Sequence, residues 1–213
     1  MSAKIISYSK SIQNEDDSII DQVAYCARVS NPANQNNKLT NNKLIKYLIK
    51  NCHWSPFEMV NICLEIKTTR DIARQILRHR SFAFQEFSQR YAKVTEELDT
   101  KDARLQDSKN RQSSIITTDD KLKLEWKEKQ NEITSLIKKN YYWALDNNIA
   151  KECARVILPE GLTPSTLYMS GTLRSWIHYL QLRCGNGTQL EHMDIANKIK
   201  SEISLIFPLI NDL

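Results

Sequence analysis

The chain has 213 residues, 41% of them hydrophobic and 26% charged, with a net charge of +5. That length supports one sizeable core, and the mild charge does not suit a protein that coats a polyanion. No run reaches the length of a membrane span, and "MSAKIISYSK" at the start lacks a signal-peptide apolar core, so a cytoplasmic protein with no membrane partner is expected.

In chain order, "AKIISY" (3–8) reads as a short strand. "EDDSIIDQVAYCARVS" sets Ile19, Ile20, Val23, Ala24 and Ala27 at helical spacing, with acids at its start where the helix dipole favours them. "NNKLIKYLIKN" repeats the pattern with Leu44, Ile45, Leu48 and Ile49, and "HWSPFEM" turns around Pro56. "VNICLEIK" alternates Val60, Ile62, Leu64 and Ile66 with Asn61, Cys63, Glu65 and Lys67, which predicts a strand. Thr68 with Asp71 resembles a capping box, so a helix is expected from there to about Arg78, with Arg70, Arg74 and Arg78 along one face. Residues 95–120 are polar and aperiodic and read as a flexible surface excursion.

Beyond the excursion, a long amphipathic helix is expected over about Leu122 to Leu145. A short one follows in "AKECARVILPEG", stopped near Pro159. "TPSTLYMSGTLRSWIHYLQLRC" carries Leu173, Ile177 and Leu180 on one helical face, and "TQLEHMDIANKIKSEISLIF" closes the chain as a helix. The expected fold is α+β: one helix-rich domain over 1–213 with a small mixed sheet.

The chemistry concentrates between Lys67 and Lys93, where seven Lys/Arg face two acids, Asp71 and Glu86. Arginine dominates there, and its planar fork grips phosphate or a pyrimidine edge in two places at once, as lysine cannot. Phe82, Phe84 and Phe87 stand among these cations, as befits a phosphorylated, flat-ringed ligand. The chain has only four glycines and no GxGxxG or GxxxxGK[ST] loop, so side chains must carry anion binding. The five cysteines are scattered without a CxxC pair and the four histidines lack ligand spacing, so neither a disulfide framework nor a metal is expected. A nucleic-acid-binding module docking an Arg-rich helix over 70–80 is the alternative reading. Against it, Arg155, Arg174 and Arg183 lie far off in sequence.

"RHRSFAFQEFSQRY" resembles the RHR-x7-S motif of the flavin-dependent thymidylate synthase family. "AYCARVS", "HWSPFEM", "ARQILRHR", "ECARVILP" and "GTLRSWIHYLQLRCGNGTQLEH" are similar to that family's segments, in the same order, across most of 20–195. The resemblance implies synthesis of dTMP from dUMP, with methylenetetrahydrofolate as carbon donor and NADPH as reductant through FAD, in a homotetramer. It also implies that His53, Ser55, Arg78, His79, Arg80, Glu86, Thr172, Arg174 and His178 bind the flavin, His53 also lying near the folate. Gln75, Arg78, Glu86, Ser88, Gln89, Arg90, Arg155 and Arg183 would bind dUMP. Arg183 is the expected catalytic residue, since a fixed guanidinium stabilises charge developing on the pyrimidine. Met59 stands where the family's "PFEH" has histidine, and Ala83 where a serine is common. Cys184 adds a thiol beside Arg183.

Overall fold

The computed structural model describes residues 1–185 and 187–212. Six strands and seven α-helices occur among them: β1 (Ser2–Tyr8), α1 (Ile19–Ala27), α2 (Asn41–Lys50), β2 (Asn61–Thr69), α3 (Arg70–Ile76), β3 (Ala83–Glu86), β4 (Arg104–Gln106), β5 (Ser114–Ile116), α4 (Asp120–Asp146), α5 (Lys151–Ala154), β6 (Pro164–Thr172), α6 (Leu173–Arg183) and α7 (Leu190–Ser204). A four-stranded sheet has the order β1-β2-β6-β3 and a two-stranded sheet pairs β4 with β5. The α+β class is thus present, with a small sheet that is antiparallel where a mixed one was expected.

The chain forms two compact units: Met1–Ile66 with Arg78–Gln85 and Tyr168–Leu213, and Lys67–Leu77 with Glu86–Leu167. In the first, the alternation seen in "VNICLEIK" buries Val60, Ile62, Leu64 and Ile66 completely. Ile19, Val23, Ala24, Ile45 and Phe57 are buried in the same unit, as are Trp176 and Ile177 of α6 and Ile195, Ile199 and Ile203 of α7. Ser18 caps α1 in a reciprocal box with Asp21, which satisfies two otherwise orphaned N–H groups. Helix α2 ends with Cys52 in the left-handed region at φ 56°. Bonds from Cys52 N to Ile49 O (3.1 Å) and from His53 N to Leu48 O (2.8 Å) close the turn. This Schellman ending fixes the direction in which the chain delivers His53, Trp54 and Ser55.

In the second unit Val94, Tyr141, Ala144 and Ala154 form a core, with Leu145 and Leu158 packed on it. The Tyr141 hydroxyl accepts from the Val94 backbone at 3.0 Å, so the tyrosine's polar end is satisfied where it is buried. Helix α4 matches its expected span to within about two residues.

Three local expectations change. The helix after β2 has no capping box at Thr68, which lies inside the strand. Backbone carbonyls cap it instead: Arg70 N donates to Thr163 O at 3.0 Å and Asp71 N to Glu160 O at 3.1 Å. It ends at Ile76, short of Arg78. The first half of "TPSTLYMSGTLRSW" is strand β6, with Ser165, Leu167, Met169 and Gly171 buried in alternation, and only Leu173 onward is helix. Within 95–120 the chain forms the antiparallel β4–β5 pair, Leu105 opposite Ile115, which its aperiodic composition did not announce.

Candidate active site

In the first unit, the backbone after α3 delivers Arg78, His79 and Arg80 on a turn before β3, with the two arginines exposed and His79 half-buried between them. Among the described residues neither Arg78 nor Arg80 engages a carboxylate. Two cations held in solvent without counter-charges, on a turn lacking glycine, fit an anion that side chains must bind. Phe82 lies against the Gly171 backbone so closely that a Cβ there would sit 2.4 Å from its ring, and Trp176 meets Phe82 edge-on at 4.7 Å. The aromatics beside the arginines thus anchor the segment that carries them.

Helix α6 supplies the opposite end of the chemistry. Its Ncap Thr172 accepts from Ser175 N at 3.3 Å, so Thr172 acts first as a helix cap. Arg174 donates to Glu58 at 2.8 Å, and the exposed His178 meets Trp54 edge-on at 4.7 Å. The Thr172 hydroxyl and then Arg174 hold the Glu58 carboxyl below its ordinary range, against a burial cost that acts the other way. Burial and the Arg174 cation lower His178, which Glu58 only partly offsets. Thr172, Arg174 and His178 are therefore brought together, with Glu58 and Trp54 joining them. "HWSPFEM" contained both residues, but only packing shows that they meet α6. His53 and Ser55 are exposed, His53 meeting Tyr47 edge-on at 5.9 Å. Met59 is 60% exposed, so no buried contact depends on the missing histidine.

Arg183, in the last turn of α6, donates from Nε to His79 Nε2 at 2.9 Å. Burial, reinforced by the Arg183 cation, lowers His79 to about 4, so its imidazole is neutral at ordinary pH. Cys184 beside it is pushed up by burial, away from the thiolate. All five cysteines are free.

In the second unit, Glu86 accepts from Ser165 Oγ at 2.8 Å and pairs with Arg70 at 3.5 Å. Arg70 is buried rather than solvated and also approaches Glu160 at 3.7 Å, while Arg74 meets Glu160 at 3.4 Å. The arginine face expected along 70–80 is thus tied up by carboxylates, and the helix stops before Arg78. Arg90 pairs with Glu152 at 3.2 Å, both groups being more than half exposed, a contact that a phosphate can displace at small cost. Ser88 Oγ accepts from Arg90 N at 3.4 Å. Gln89 is 4% exposed, and its Nε2 has no protein partner. A buried donor without an acceptor costs about 1–3 kcal/mol, which a ligand carbonyl or phosphate oxygen would recover. Arg155 is half-buried and Gln75 lies on α3.

Comparison with known proteins identifies the family. The family model described as thymidylate synthase complementing protein matches residues 8–209. The chain is 50% identical over 210 residues to the probable flavin-dependent thymidylate synthase of Paramecium bursaria Chlorella virus 1, covering 99% of this chain and 97% of that one. It is 48% identical to the flavin-dependent thymidylate synthase of Synechocystis, covering 88% and 86%. Among solved structures, the UMP/dUMP methylase PolB from Streptomyces cacaoi bound with 5-Br dUMP superposes with a TM-score of 0.83 at 25% identity, covering 99% of this chain and 93% of that one. A family match over residues 8–209 and 50% identity along nearly the whole chain are decisive: this protein belongs to the flavin-dependent thymidylate synthase family.

Proposed function

We propose that the protein makes dTMP from dUMP, with methylenetetrahydrofolate as carbon donor and NADPH as reductant, as a cytoplasmic homotetramer using FAD. The observation that carries this reading is the Arg183 guanidinium, hydrogen-bonded at 2.9 Å to neutral His79 and, among the described residues, facing no carboxylate. Such a cation retains its full charge for a ligand. Opposite a uracil ring it stabilises the ionised pyrimidine, raising the ring's nucleophilicity without a covalent bond.

Ser88 and Cys184 are poor alternatives as nucleophiles. The Ser88 hydroxyl accepts from a backbone N–H, and burial keeps the Cys184 thiol protonated. Ser88, Gln89, Arg90 and Arg155, with Gln75 and Glu86, would bind dUMP, with Gln89 Nε2 donating to an acceptor that the protein itself does not provide. FAD would be held by Arg78 and Arg80 at its phosphates and by His53, Ser55, Thr172, Arg174 and His178, and supplies hydride chemistry when bound. The nucleic-acid reading loses its support, because Arg70 and Arg74 are committed to Glu86 and Glu160.

The test is direct. Protein stripped of flavin and then given dUMP, methylenetetrahydrofolate, NADPH and FAD should form dTMP, and omission of any one should stop it. Formation at the same rate without FAD, or no formation with all four, overturns the proposal. Light scattering at about micromolar protein should give a tetramer mass.

A further inference from the structure

The resemblance gave His79 to the flavin, yet its imidazole is hydrogen-bonded to another protein side chain. Arg183 donates from Nε, so His79 accepts at Nε2 and carries its proton on Nδ1. A second contact restrains the plane of the His79 ring. Tyr179, one helical turn before Arg183 on α6, meets the His79 ring edge-on at 4.9 Å and 78°. Tyr179 is 1% exposed, and its hydroxyl lies 3.1 Å from Nε2 of His192 on α7, which is fully buried. A buried tyrosine–histidine bond inside an apolar core costs desolvation at both ends, so it is expensive to place and rigid once formed. Neither Tyr179 nor His192 stood out in the sequence, and the dUMP chemistry above uses neither.

We propose that His79 is a positioning residue for Arg183. It is an uncharged acceptor that fixes the guanidinium through Nε–H without neutralising it, and the Tyr179 ring, locked by His192, fixes His79 in turn. A carboxylate in the same place would orient the arginine as well but would cancel the charge that the pyrimidine needs. The neutral state of His79 agrees with its burial beside a cation. This inference rests on the proposed role of Arg183 and adds the three residues that hold it.

The experiment uses the FAD-loaded enzyme and reads kcat at saturating dUMP per bound flavin, KM for dUMP, and FAD content. His79→Leu should lower kcat about a hundredfold, the scale of misplacing a catalytic group by about 1 Å. His79→Gln, which keeps a neutral acceptor, should recover about tenfold of that loss. Tyr179→Phe, which keeps the ring and loses only the hydroxyl, should lower kcat about tenfold with FAD content held, and it serves if His79→Leu does not fold. Flavin loss with unchanged turnover per bound flavin would make His79 a flavin ligand only and overturn the proposal, as would a Gln variant no better than Leu. Selective nitrogen-15 labelling of histidine reads the contact independently of activity. His79 in the Nδ1–H form at about pH 7 supports the proposal, and protonation at Nε2 overturns it. If Arg183→Ala turns over normally while that tautomer is found, the catalytic role of Arg183 has failed and the contact has not.

Discussion

Acidification should destabilise this protein through His192 in a way that can be worked out in advance. The residue is fully buried, and burial, followed by the Arg183 cation and His79, lowers it from 6.5 to about 4. The unfolded chain therefore takes up a proton first as pH falls, so the stability tied to neutral His192 is complete above about 6.5 and lost progressively toward 4. Integrating between those two values gives about 2 kcal/mol lost from pH 7 to pH 5, and about 3 kcal/mol by pH 4. His79 acts in the same direction, with a smaller share because it is partly solvated. The assay is urea unfolding at pH 7 and pH 5, at one protein concentration, for the natural protein and for Tyr179→Phe/His192→Leu. The double variant removes both polar members of the pair, so neither is left orphaned. Carboxylates and His79 titrate in both proteins and cancel in the difference. The natural protein should lose about 2 kcal/mol more than the variant between the two pH values. Equal losses in the two proteins would refute the reasoning.

Other expectations are simpler. Gly171→Ala should cost about 1–3 kcal/mol in thermal unfolding, because the added Cβ meets the Phe82 ring at 2.4 Å and Trp176 limits the ring's retreat. A melting temperature unchanged from the natural protein would show that the ring moves freely. Arg78→Ala and Arg80→Ala should each weaken FAD by about 1.5–3 kcal/mol and purify pale, read by flavin absorbance, whereas Arg90→Ala and Arg155→Ala should chiefly raise KM for dUMP. Ser88→Ala and Cys184→Ala should still form dTMP, and mass spectrometry of acid-quenched turnover should find no uracil adduct on either side chain. An adduct formed at a competent rate would replace the non-covalent mechanism.

Sequence alone determined the elements whose pattern is local. The two-residue alternation of "VNICLEIK" became β2, and the helical spacing in "NNKLIKYLIKN" and after Asp120 became α2 and α4, because one buried face suffices to define each period. The arginine-rich turn was legible for the same reason, since a high local density of forked cations has few structural uses. Tertiary structure decided what depends on partners distant in sequence. Strand β6 was hidden because it runs straight into α6, and two of its four buried positions are the small residues Ser165 and Gly171. The fate of Arg70 and Arg74 rested on Glu86 and on Glu160, the latter 86 residues from Arg74. The pairing of Arg183 with His79, 104 residues apart, and the burial of His192 beside Tyr179 leave no periodic trace in the chain. A histidine's charge and tautomer are set by what surrounds it, and those surroundings exist only once the helices have packed.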